Sequence, residues 1–189
     1  MIIIAGPPGS GKSSVFPVST FGVPYFNADD RAAELNHGSY IGISHEIRQA
    51  VNLEFERFVL NSIDQRITFA IETTLRSQAT FDQSRMAREA GFSLEMRYLA
   101  LRDFAMHLER VKARADAGGH SASESTLRRI YHSSLANLAQ AVTEMDDLWI
   151  YDNSPLCGPP ILVAQTEKSA ICFLAADPPR WLSTALDLF

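Results

Sequence analysis

Only two cysteines, Cys157 and Cys172, occur in 189 residues, at a spacing that suits neither a metal site nor a disulfide framework. Both read as small buried hydrophobes, and their scarcity accords with a reducing cytoplasm. Lysine and arginine never gather into one run and the net charge is −5, so the basic footprint of a nucleic-acid partner is missing. No apolar stretch approaches the ~20 residues of a membrane span. The opening MIIIAG lacks the basic flank and cleavage site of a secretory leader, so a cytoplasmic protein with no membrane partner is expected. The guanine-reading tetrapeptide N-K-x-D is absent, and no D-x-x-G follows a predicted strand, which disfavours a GTPase switch. What is present is ordinary globular composition, 46% hydrophobic and 21% charged, enough for one domain with a real core.

MIIIA is β-branched, continuously apolar and stopped by Gly6, as a buried strand is. The pattern predicts a short helix from Lys12 to about Thr20, cut early by Pro17, then a second strand in VPYFNADD ending at its acidic residues and a brief helix in RAAEL. From Ser44 to about Arg66, residues Ile47, Val51, Phe55, Phe58 and Ile63 recur at helical spacing behind Ser44 as N-cap. ITFAIE is a third strand, followed by a helix over Gln78 to Ala90 that Gly91 closes. SLEMRYLAL is the fourth strand. Asp103 to Ala117 is helical and ends in the Gly118-Gly119 turn, a second helical stretch runs from Glu124 to Met145, and DLWIYDNS is a fifth strand. A hairpin and a short helix finish the chain. Strands alternating with helices predict a right-handed α/β fold in three layers. Its mostly parallel five-stranded sheet is flanked by helices, in one domain over residues 1–189 with a lid at 103–130 and a C-terminal hairpin.

GPPGSGKSS, residues 6 to 14, matches G-x-x-x-x-G-K-[ST], the Walker A pattern, between a predicted strand and a predicted helix, so the three-layer α/β fold is expected to be a P-loop NTPase fold. Glycines let several backbone N–H groups turn into one cavity, and the following helix adds its positive end, which makes an anion nest. Gly6, Pro7, Pro8, Gly9, Ser10, Gly11, Lys12, Ser13 and Ser14 are therefore the candidate nucleotide-binding loop. Lys12 suits the β- and γ-phosphates and the Ser13 hydroxyl suits Mg²⁺. GPPGSG has the wrong spacing for the dinucleotide fingerprint, so a nicotinamide cofactor is not expected.

Asp29 and Asp30 end the second predicted strand, on the edge of the sheet where ligands collect. Asp29 can accept the proton of an attacking hydroxyl, or either acid can cap the next helix. Glu72 can face a substrate hydroxyl or a metal-bound water, or simply be solvated at a strand end. Asp152 can instead imitate the acid that holds Mg²⁺ in motor-type ATPases. Arg110 and Arg114 share one helix face, and Arg128 and Arg129 lie beyond the paired glycines. Such a helical lid closes over phosphates, or forms a solvated face paired with Glu109 and Asp116. His45, His107 and His132 read as surface or cap residues, His120 beside the glycines as structural, and Trp149 and Trp181 as core or interface aromatics.

In order, IIIAGPPGSGKSS, FNADD, FAIETTLRS, RVKARADAGGHSASESTLRRIYHSSLANL and IYDNS resemble the zeta-toxin family of P-loop kinases, its short bacterial members especially. The resemblance implies Mg²⁺-ATP as donor and a phosphorylated hydroxyl as product; zeta toxins proper phosphorylate UDP-N-acetylglucosamine at its 3′-hydroxyl. It implies Lys12 and Ser13 on phosphate and Mg²⁺, Asp29 as base, and Glu72, Thr73 and Thr74 toward a small-molecule acceptor. Arg110 resembles the first lid arginine, and Arg128 or Arg129 the second, with Arg114 near the nucleotide. An antitoxin-like protein partner is a further implication. The alternative is a nucleotide-binding ATPase or switch that regulates a protein partner and has no acceptor.

Overall fold

The computed structural model describes residues 1–116 and 122–187. Strand β1 (Ile2–Ala5) lies inside the sheet, with Ile3, Ile4 and Ala5 fully buried. After the loop, helix α1 (Lys12–Val15) lasts one turn before Pro17, and a 3-10 turn (Val18–Phe21) leads to β2 (Tyr25–Phe26). Helices α2 (Ala28–Leu35) and α3 (His45–Asp64) precede β3 (Ala70–Thr73), α4 (Ala79–Glu89) and β4 (Glu95–Ala100). Then come α5 (Phe104–Asp116), α6 (Glu124–Ala136), α7 (Leu138–Glu144) and β5 (Asp147–Asp152). The hairpin β6 (Ile161–Glu167) and β7 (Ala170–Leu174) and helix α8 (Arg180–Leu186) follow.

Local chemistry accounts for the element ends. Ser44 Oγ accepts the Ile47 N–H at 3.3 Å and so starts α3. Asp103 Oδ1 does the same for α5 through Met106 N–H at 3.0 Å. Helix α4 stops where Gly91 turns to φ 90° and Phe92 N–H returns to the Ala87 carbonyl at 3.0 Å.

The strand order is β2-β3-β1-β4-β5-β6-β7. The first five strands in the chain run parallel, and β6 and β7 are antiparallel. The sheet has seven strands rather than five because the hairpin pairs along β5, Asp147 opposite Glu167 and Asp152 opposite Ile161. The core gathers Ile3, Ile71, Met96, Tyr98, Leu148 and Ile150 from the strands with Phe69, Phe81 and Trp181, each such burial contributing about 1.5–3 kcal/mol.

Three further expectations are corrected. β2 ends at Phe26, and Asn27 Oδ1 accepts the N–H groups of Asp29 and Asp30, so both acids sit in the first turn of α2 rather than on a strand. The helix expected over Glu124 to Met145 breaks at Asn137, whose Nδ2 donates to the Leu75 carbonyl at 2.9 Å. Both cysteines are exposed: Cys157 lies in the Gly/Pro-rich link after β5, and Cys172 in an edge strand open on both faces. The Gly118-Gly119 turn and His120 lie outside the described residues.

β1 lies between β3 and β4, with Ala5 opposite both Thr73 and Tyr98. Ala100 stands opposite Asp152. The loop after β1, the Thr74 turn, Leu101 and Asn153 therefore share the carboxyl edge of the sheet, where open α/β sheets bind ligands.

Candidate functional site

The phosphate-loop pattern becomes a closed turn around Lys12. The Lys12 side chain is only 7% exposed. Its ammonium donates to the carbonyls of Gly6 at 2.9 Å and Pro7 at 3.3 Å. Neighbouring chain presses on the loop from outside, so Gly6, Gly9 and Gly11 are each required. A Cβ on Gly6 would stand 2.0 Å from the Leu99 carbonyl oxygen, and one on Gly11 2.5 Å from Asn153 Nδ2, with φ at 142° and 92°.

One carboxylate lies beside the same ammonium. Glu72 Oε1 lies 3.9 Å from Lys12 Nζ, and the Ser13 hydroxyl donates to Glu72 at 2.9 Å. Burial lowers the Lys12 pKa; Glu72 and Asp29 pull it back up, and Arg114 lowers it further. Glu72, Asp29 and Arg114 therefore lie near enough to Lys12 to act on its charge. Asp29 is exposed in the first turn of α2. Asp30 instead accepts the Tyr40 hydroxyl at 2.8 Å. Ser14 is exposed beside Ser13.

Thr73 Oγ1 lies 3.2 Å from Thr80 Oγ1 and accepts the Leu75 N–H at 3.2 Å, which fixes the turn after β3; Thr74 is half-buried beside it. Asp152 accepts the Ser154 N–H at 2.9 Å and the Ser154 hydroxyl.

The arginines separate into two groups. Arg110 lies at the loop: its Nη2 donates to the Asn153 carbonyl at 2.8 Å, and its Nη1 is 3.7 Å from where a Gly11 Cβ would be. Arg128 pairs with Glu124 at 2.9 Å and lies over the Phe104 ring at 4.2 Å. Arg129 lines a cleft of 330 Å³ with Arg76, Ser77, Ile130 and Ser133.

Two loop partners escaped the list of candidates. His107 is 2% exposed, not a surface or cap residue. Its Nε2 accepts the Leu101 N–H at 3.0 Å, and its Nδ1 lies 2.9 Å from the Pro8 carbonyl. Burial is the main cause holding its pKa down to about 4. The signal was its place on the apolar stripe of α5 with Phe104 and Val111. Asn153, 9% exposed, donates from Nδ2 to the Ser10 carbonyl at 2.8 Å. His45 and His132 are exposed; Trp181 is in the core, and Trp149 is half-buried beneath Arg97.

Hard oxygen donors at Ser13 and Glu72 suit Mg²⁺, which takes few protein ligands and keeps waters and phosphate oxygens. Among the described residues no cluster of three or more His, Cys, Asp or Glu could hold a metal, and no helix is long and apolar enough to cross a membrane.

No family model matches the chain. An uncharacterised protein of Haemophilus influenzae is 31% identical over 70 residues, which are 37% of this chain and 50% of that protein. Among solved structures, the native AvrRxo1-ORF1:AvrRxo1-ORF2 complex is similar with a TM-score of 0.73 and 13% identity, over 98% of this chain and 62% of that chain. The same complex with ATP gives 0.68 and 13%, over 90% and 59%. A chain of the PezAT chromosomal toxin-antitoxin system of Streptococcus pneumoniae gives 0.59 and 10%, over 99% and 78%. The chain thus spans half to about three fifths of the first two relatives. At these identities the likeness is one of architecture: the chain shares the fold of those chains.

Proposed function

We propose that this chain is a phosphotransferase that moves the γ-phosphate of Mg²⁺-ATP to a hydroxyl of a small molecule. The observation that carries the reading is the buried Lys12 ammonium, held by the Gly6 and Pro7 carbonyls of the loop with the Glu72 carboxylate 3.9 Å away. A nest for phosphates with a carboxylate across it is what phosphoryl transfer needs, since the chemistry rests on positioning and charge balance. The kinase-like fold supports it, as does a similar complex crystallised with ATP.

In this reading Asp29 takes the proton of the acceptor hydroxyl as its oxygen bonds to the γ-phosphorus, and the bond from that phosphorus to the β,γ-bridging oxygen breaks to release ADP. Lys12 and Arg110 offset the charge on the phosphates, with Arg114 beside them. Ser13 and Glu72 would hold the magnesium ion, which neutralises phosphate charge when bound. Glu72, Thr73 and Thr74 form the acceptor side, and a UDP-amino sugar is the acceptor to test first. Arg129, in its cleft with Arg76, is the better placed of the two distal arginines to meet a ligand, since Arg128 is engaged by Glu124 and Phe104. We extend the proposal to a lid spanning 103–130, an antitoxin-like partner and a cytoplasmic setting.

The test is a phosphoacceptor screen with γ-labelled ATP, UDP-sugars and nucleosides included, run beside Lys12→Ala. Label on an acceptor, absent with the variant, is the expected result. Slow hydrolysis indifferent to every acceptor, with nucleotide-dependent association to a protein, would favour the switch instead.

A further inference from the structure

We infer that His107 and Asn153 are outer braces of the phosphate loop: by holding the carbonyls of Pro8 and Ser10 from outside, they aim the Gly9 and Gly11 amides into the nest. The inference rests on reading the loop as a nucleotide site and adds two positioning residues to it.

Peptide geometry makes the link. No peptide bond here is cis, and in a planar trans peptide the carbonyl and the following N–H point in opposite directions. The Pro8 carbonyl is directed at His107 Nδ1 at 2.9 Å, so the Gly9 N–H is directed away from it. The Ser10 carbonyl is directed at Asn153 Nδ2 at 2.8 Å, so the Gly11 N–H likewise faces the other side. The same residues crowd the outer wall: a Cβ on Gly9 would stand 2.6 Å from the His107 carbonyl oxygen, and one on Gly11 2.5 Å from Asn153 Nδ2. Inward amides next to the start of α1 are the donors an anion needs.

The imidazole can do this in one state only. A carbonyl accepts and never donates, so Nδ1 must carry the proton shared with Pro8. A backbone N–H donates and never accepts, so Nε2, which receives Leu101 N–H at 3.0 Å, must be bare. The ring is therefore neutral and Nδ1-protonated. One turn on, Arg110 donates to the Asn153 carbonyl at 2.8 Å. The base of α5, the loop and the end of β5 thus form one hydrogen-bonded unit.

Two substitutions separate the two imidazole bonds. In His107→Asn the amide nitrogen stands near the Nδ1 position, which keeps a donor for Pro8 and loses the acceptor for Leu101. In His107→Gln the amide oxygen reaches the Nε2 position, which keeps the acceptor and loses the donor. We expect calorimetric affinity for Mg²⁺-ADP, per folded molecule, to stay near wild type in His107→Asn and to fall about tenfold in His107→Gln, the worth of roughly one hydrogen bond. Both variants should lose thermal stability, so equal affinities would reduce His107 to packing and overturn the inference. Wild-type protein that takes up no nucleotide would instead overturn the nucleotide reading itself. Should neither variant fold, the ¹⁵N spectrum of wild-type His107 at pH 7 decides: a neutral ring protonated at Nδ1 upholds the brace, and an Nε2-protonated or cationic ring refutes it.

Discussion

Replacing Gly11 by alanine separates two costs that the loop imposes on the same residue. Its φ of 92° is left-handed, which costs an alanine about 1–2 kcal/mol. The added Cβ would also lie 2.5 Å from Asn153 Nδ2, displacing the amide that donates to the Ser10 carbonyl at 2.8 Å. Leaving those buried groups unpaired costs a further ~1–3 kcal/mol. A fall in Tm of about 5–20 °C follows for a domain of this size. Gly42→Ala is the control, since its φ is 70° and nothing lies within 4 Å of its Cβ; it should lose only the first cost, about 2–8 °C. Thermal and urea denaturation of both variants measure the difference, and titration with Mg²⁺-ADP should find weaker binding in Gly11→Ala alone. Equal losses in the two variants would refute the claim that Asn153 presses on the loop.

Asp29→Asn should abolish phosphoryl transfer while Mg²⁺-ATP affinity changes less than about threefold, because the base acts on the acceptor; near-normal transfer by the variant would remove Asp29 from the role. Glu72→Gln should weaken Mg²⁺-ATP binding by about tenfold and metal-free ATP much less, since it removes a charge beside Ser13 and Lys12; an unchanged magnesium dependence would contradict the metal role. His107 gives a pH signature. Its folded pKa of about 4 lies below the ordinary histidine value of 6.5, so the unfolded chain binds the proton first. Its stabilising contribution is complete above pH ~6.5 and is lost as pH falls toward ~4, by about 3 kcal/mol in all. Urea denaturation across that window should therefore be flatter in His107→Gln, and identical slopes would mean that the ring titrates normally.

The loop was legible because its chemistry is local: glycine freedom, one lysine and one hydroxyl in consecutive positions between a strand and a helix. The long helix α3 was legible from its spacing and its cap. The expectations that failed depend on contacts distant in sequence or, at Asn27, on a local competition. Nothing near Cys172 says that β7 will be an edge strand, although the hairpin itself was readable. Asn27 ended β2 early because its side chain capped α2, a competition between strand and helix in four residues. His107 and Asn153 reach back 99 and 143 residues to the loop they hold. Only a polar residue on a buried stripe, and another just past a buried strand, pointed that way.

The most direct test is calorimetric titration of the wild-type chain and Lys12→Ala with Mg²⁺-ATP. One-to-one uptake by the wild type, lost when the ammonium that bonds the Gly6 and Pro7 carbonyls is removed, is the predicted result. No uptake by the wild type, or equal uptake by both, would contradict a loop built around Lys12 to hold a triphosphate.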